Sequence, residues 1–222
     1  AQGVALAATR AGVDAVIVMP EHAPVSKVKA TRHYGAEVIL HGEDYSEAQA
    51  KAMELEREQD RTYVHAFDDW DVMAGQGTIG FEVLEDCPEV ETVVVPIGGG
   101  GLIAGVATAI KGRLPDTRVV GVQAEGASSA AASLASGEIQ VLESVDTIAD
   151  GIATRRVGDK PFEVIQERVD EVVTVSDSEI AVALVYALER AKTLLEGAAA
   201  VSLAAILESA FEYREDEVIV PL

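Results

Sequence analysis

Short β-branched runs alternate along this chain with longer, Ala-rich stretches of helical period. The runs Asp14–Met19, Ala36–Leu40, Thr92–Ile97, Arg118–Ala124, Glu171–Val175 and Glu217–Pro221 predict strands, and Thr62–His65 a further short one. Helices are predicted over Pro24–His33, Tyr45–Glu58, Val72–Glu85, Leu102–Gly112, Ser178–Lys192 and Ala198–Ser209. Ser176 and Asp177 sit between a strand and an apolar-periodic run, where an N-cap belongs. Strand–helix alternation at this spacing implies right-handed crossovers, and so an α/β fold: parallel, twisted sheets with helices on both faces. The polar, turn-like stretch His65–Asp71 is the softest boundary, which suggests a small α/β unit over residues 1–67 and a larger one over 68–222. Ala1–Ala8 begins inside a helical run without a cap, and Val218–Leu222 stops at the end of a strand, so a segment is expected beyond each end.

Composition narrows the picture. Hydrophobic residues make up 49% of the chain but aromatics only 5%, so Ala, Val, Ile and Leu must build the core, as in buried parallel strands under helices. No apolar run is long enough to cross a bilayer, and no secretory leader pattern opens the chain. Cys87 is the single cysteine and has no partner for a disulfide or a zinc cluster, and the histidines show no ligand spacing, so no metal is assigned. A cytoplasmic protein is the reading that follows. Its net charge of −21 repels nucleic acid and anionic membranes, which excludes both as partners. The charge is spread along the whole chain, as expected of a halophilic surface whose self-repulsion is screened by a salty cytoplasm.

The chemical signal is a glycine loop. Thr92–Ile97 runs straight into Gly98, Gly99, Gly100 and Gly101, and Leu102 then opens a helix. Without Cβ atoms the backbone can turn sharply and aim several N–H groups at one anion, backed by the positive end of the helix. One or two glycines would suffice for a tight turn alone. No Gly-Lys-Ser/Thr follows, which excludes a nucleoside-triphosphate P-loop. Gly99-x-Gly101-x-x-Ala104, with Glu125 ending the next strand, also matches a loose dinucleotide fingerprint, so an NAD-binding oxidoreductase domain stays open at this point.

Five segments in unbroken order carry a resemblance. They are Met19 to Thr31 with Gly35 to Val38, His65 to Asp69 with Ala74 to Gly80, Pro96 to Leu102, Ile148 to Gly151, and Glu196 to Ala200. Together they resemble the threonine ammonia-lyase (threonine dehydratase) family of fold-type II pyridoxal-phosphate enzymes, which are similar to the tryptophan synthase β chain in fold. The resemblance implies two domains with the cofactor, pyridoxal 5′-phosphate, in the cleft between them. Its phosphate would rest on the backbone amides of Gly98, Gly99, Gly100, Gly101 and Leu102, with Gly151 beside the ring and Phe67 and Glu196 lining the pocket. Bland readings stand beside the last two: Phe67 as ordinary core, and Glu196 as a charge complementing a helix dipole.

The family's chemistry is β-elimination of L-threonine to 2-oxobutanoate and ammonia, with L-serine to pyruvate as a second reaction. A small amino acid is therefore the expected substrate, and a homo-oligomer the expected assembly. The lysine that forms the Schiff base is expected ahead of Ala1, and the serine facing the pyridine nitrogen after Leu222, so no catalytic residue is assigned within the chain. Lys27 and Lys29 lie on a predicted helix and are expected at the surface. Ala66 stands where the family usually has proline. Gln123 and Ser129 stand where the serine racemase branch binds a divalent cation, which favours a dehydratase and speaks against a metal; serine racemase or serine dehydratase is the nearest rival within the family. A non-catalytic regulatory paralogue is the remaining alternative, because fold alone does not fix function.

Overall fold

The computed structural model describes residues 1–222, which divide into two compact units, Ala1–Val64 and His65–Leu222. In the first unit, α1 (Gln2–Ala11), β1 (Val16–Met19), α2 (Val25–His33), β2 (Glu37–Leu40) and α3 (Tyr45–Gln59) follow in order. β1 and β2 pair in parallel with Val16 opposite Glu37. Ala5, Met19, Val28, Ala36, Ala48 and Leu55 form its buried interior. The turn into β2 uses Gly35 at φ 93°, and a methyl there would meet the Thr9 hydroxyl at 2.5 Å. Residues 62–65 do not form the expected strand: no neighbouring strand pairs with them, and the Tyr63 amide donates instead to the Glu56 carboxylate at 3.2 Å.

The second unit holds α4 (Trp70–Asp86), β3 (Thr92–Pro96), α5 (Gly101–Arg113), β4 (Arg118–Ala124), α6 (Ser129–Ser136), α7 (Asp159–Arg168), β5 (Glu171–Val175), α8 (Asp177–Tyr186), α9 (Gly197–Leu207) and β6 (Ile219–Pro221). Its strands form one all-parallel sheet in the order β5-β4-β3-β6. Alternation along β3 explains why helices cover both faces. Val93 and Val95 pack with Ile103, Val106, Ile110, Phe162 and Ile165, from α5 and α7. Val94 points the other way, to Ile180, Ala183, Val201 and Ala204 of α8 and α9. The α/β class with helices on both sheet faces is therefore present as expected.

Small residues set how closely α4 and α5 cross. A Cβ on Gly105 would lie 2.2 Å from the Met73 carbonyl, and one on Gly80 would lie 2.9 Å from the Ala109 methyl. Gly77 and Gly80 are thus packing features of this helix pair. α8 begins at an N-cap Ser176 with a full capping box to Glu179, then passes into a π-helical turn over Ala187–Ala191. Two helices, α6 and α7, had no counterpart in the predicted elements. The first is nearly all Ala and Ser and lacks an apolar stripe; the second opens with Gly158-Asp159-Lys160-Pro161, which looks like a turn. No helix is long and apolar enough to cross a membrane.

Candidate functional site

The site is assembled at the C-terminal end of β3, where a parallel sheet places its working loops. Gly98 to Gly100 leave the strand and α5 starts at Gly101, with Gly100 as its N-cap at φ 90°. At that φ an L side chain is strained, and a methyl would also meet Pro161 at 2.8 Å. No side chain caps this helix end, and no acceptor in the chain takes the N–H groups of Gly98, Gly99, Gly100, Gly101 or Leu102. Gly99, Gly100 and Gly101 are buried all the same. Buried, unsatisfied amides are costly, and a row of them at a helix N-terminus is a seat for an anion.

Three further segments converge on this loop. Phe67 lies against it: a Cβ on Gly101 would sit 2.9 Å from the Phe67 Cβ and carbonyl oxygen, and one on Gly99 would overlap the ring. Gly98 approaches Ile152, the last residue of a 3₁₀ turn (Asp150–Ile152), to 3.0 Å measured from an added Cβ to the Ile152 Cα. Gly151, in the same turn, faces the Ala198 methyl at 2.8 Å by that measure, and Gly197 faces the Ile148 carbonyl at 2.8 Å. Asp177 pins this region to α8, accepting from the Thr147 hydroxyl at 2.6 Å and the Ile148 amide at 3.1 Å. The glycine loop, Phe67, Gly151 and the start of α9 are thereby brought together from across 130 residues of chain.

Glu196 is the N-cap of α9 but makes no side-chain cap bond; its carbonyl receives the Ala199 and Ala200 amides, both at 3.1 Å, and its carboxylate is exposed beside this cluster. Lys27 and Lys29 lie on α2 in the first unit. Gln123, wholly buried at the end of β4, spends its amide on the backbone. Its Nε2 donates to the carbonyls of Ile97 (3.3 Å) and Ala127 (3.1 Å), and its Oε1 accepts from the Ala131 amide at 3.0 Å.

Some residues that shape the site carried no assigned role in the sequence. The His65 Nδ1 accepts from the amides of Phe67 (3.2 Å) and Asp68 (2.8 Å), and the imidazole meets the Phe67 ring edge-on at 4.7 Å. Burial lowers its pKa; Lys160 and Arg156 add to that, while Asp68 and Asp69 oppose it. An unprotonated Nδ1 is what two incoming amides require. Asp68 bonds the start of α7, and Asp69 caps α4 through the amides of Asp71 and Val72. The polar run His65 to Asp69 marked a turn, but nothing local showed that it meets Gly158 and Lys160.

A buried cradle of free amides with aromatic and small-residue walls fits a phosphate monoester carried on a flat ring. The family profile described as "Pyridoxal-phosphate dependent enzyme" matches residues 1–222. This chain belongs to that family. The pyridoxal-phosphate dependent enzyme match takes in Gly99 to Ala104 with everything around it, which favours the phosphate-loop reading over the dinucleotide one. The chain is 51% identical over 207 residues to an L-threonine ammonia-lyase of Thermotoga maritima, a match that covers 93% of this chain and 52% of that protein. It thus spans about half the length of such curated relatives. Among solved structures it superposes on threonine deaminase isoform 2 from Solanum lycopersicum with a TM-score of 0.90 at 39% identity, covering 99% of this chain and 61% of that one. Maize serine racemase gives a TM-score of 0.92 at 35% identity, covering 99% and 68%. The chain has the fold-type II architecture of that family.

Proposed function

We propose that the protein containing this chain is a threonine ammonia-lyase, which converts L-threonine to 2-oxobutanoate and ammonia, the water lost in the elimination being regained on hydrolysis, and accepts L-serine as a second substrate. The observation that carries this reading is the row of free amides from Gly98 to Leu102, buried at Gly99 to Gly101, beside Phe67, in a chain half identical to an L-threonine ammonia-lyase. Those amides would hold the phosphate of pyridoxal 5′-phosphate, and the N-terminus of α5 would favour its negative charge. Bound there, the cofactor supplies an electron sink for the carbanion formed when the α-proton of the amino acid is lost. Phe67 packs the loop from one side and keeps water off its amides. Gly151 and Ala198 leave a wall without long side chains, which lets a flat ring approach the backbone. Glu196, exposed at the start of α9, would offer a hydrogen-bond acceptor beside the same cluster.

Serine racemase is the second reading, favoured by the likeness to the maize enzyme. Gln123 weighs against it, because its amide is already spent on three backbone groups. The deciding experiment incubates the full-length protein, reconstituted with pyridoxal 5′-phosphate, with L-threonine and with L-serine. Release of 2-oxobutanoate supports the lyase; D-serine without keto acid would support the racemase, and neither product would sink both. A cytoplasmic homo-oligomer is part of the same proposal. Val182, Val185 and Tyr186 of α8, exposed at 56%, 55% and 45%, are suited to burial between subunits, which sedimentation would test.

A further inference from the structure

The glycine loop does not hold its shape unaided. The Gly99 carbonyl accepts from the Gly158 amide at 3.0 Å, and the peptide unit it belongs to is planar and trans, so the Gly100 N–H must point the opposite way. Gly158 therefore sets the direction of one of the free donors in the cradle. It is itself the N-cap of α7 and brings no side chain to that helix end. The cap comes from Asp68, about ninety residues earlier. Its carboxylate accepts from the amides of Asp159 (3.1 Å) and Lys160 (3.0 Å), and the Lys160 ammonium returns to the Asp68 carbonyl at 3.1 Å. Only 16% of the Asp68 side chain is exposed, and a methyl on Gly158 would come within 2.9 Å of its Cβ and Cγ. Phe67, the neighbour of Asp68, lies against Gly99 and Gly101 on the same loop.

We infer that Asp68 is a positioning residue for the phosphate of the cofactor: by capping α7 it fixes Gly158, and through Gly158 the orientation of the Gly99–Gly100 peptide. The inference rests on the pyridoxal-phosphate reading above. Asp68 touches neither the loop amides nor any reacting atom; it acts through Gly158, and its carboxylate gains charge-assisted bonds at the positive end of α7.

The test resolves the full-length holoenzyme to its cofactor-free form and titrates it with pyridoxal 5′-phosphate and, separately, with pyridoxal, which has no phosphate. Asp68→Ala is expected to weaken pyridoxal 5′-phosphate roughly tenfold or more while leaving pyridoxal within about twofold, since only the phosphate seat is disturbed. Asp68→Asn, which keeps one acceptor for the α7 amides, is expected to fall between wild type and Asp68→Ala. The phosphorus NMR resonance of the bound cofactor should move in Asp68→Ala and move less in Asp68→Asn. Equal losses for both ligands, or an unchanged phosphate affinity in Asp68→Ala, would overturn the inference. Should Asp68→Ala not fold, Asp68→Asn and its phosphorus resonance decide alone: an unmoved resonance and unchanged affinity overturn it. A wild-type protein that takes up no pyridoxal 5′-phosphate overturns the cofactor reading itself, and this inference with it.

Discussion

The ring of Phe67 occupies the space where a side chain on Gly99 would have to go: an ideal Cβ there falls 2.4 Å from Cγ, Cδ1 and Cδ2. Neither the strand before Gly99 nor the helix after it can retreat, because Val95, Ile97 and Ile103 are wholly buried. Gly99→Ala should therefore destabilise the protein by about 1–3 kcal/mol, as overpacking does, and weaken binding of the phosphate. If the clash is the cause, the double variant with Phe67→Ala will cost less than the two single changes added together. Simple additivity in a denaturant-melt cycle would count against the contact.

Gln123 ties the root of the same loop through the Ile97 carbonyl. Gln123→Leu fills similar space but leaves the Ala131 amide and the Ala127 carbonyl without partners in a buried place. A loss of about 2 kcal/mol or more is expected from equilibrium unfolding, within the range for stranded buried polar groups. A variant as stable as wild type would show that the neighbouring backbone finds other partners.

The low pKa of His65 gives a pH dependence with a definite sign. Burial favours the neutral imidazole in the folded state, so below the ordinary histidine value the unfolded chain takes up a proton that the folded chain resists. This contribution is intact above the unfolded pKa of about 6.5 and is lost as pH falls through the folded one. His65→Asn keeps an acceptor for the Phe67 and Asp68 amides but does not titrate in this range. Wild type should lose stability relative to that variant as the pH of the melts drops from about 7.5 to about 5.5. A constant difference between the two would remove His65 from the account.

A net charge of −21 on 222 residues should make the fold salt-dependent. The ion pairs are mostly exposed, such as Arg156 with Asp159 and Arg168 with Glu167, and offset little of the repulsion among the 38 carboxylates. Raising KCl from about 0.1 M to about 2 M shortens the screening length and should raise the thermal midpoint. A flat or falling midpoint would mean an ordinary acidic surface and no adaptation to salt.

Local pattern was enough for much of this protein. Strand–helix alternation carried the class and all six strands, because β-branched runs and Ala-rich periods bury differently whatever surrounds them. Ser176 and Asp177 announced the start of α8, and Gly98 to Gly101 announced the sharp turn from β3 into α5, since both depend on residues only a few positions apart. Thr62–His65 misled because β propensity in so short a run does not by itself make a strand. α7 was hidden because its cap lies at Asp68, about ninety residues away, leaving its own first turn looking like a loop. The closure of Phe67 on Gly99, of Ile152 on Gly98 and of Gly158 on the Gly99 carbonyl likewise joins positions that no local window contains. These contacts form only when the sheet order β5-β4-β3-β6 brings the strand ends to one edge, and that packing is a property of the folded chain.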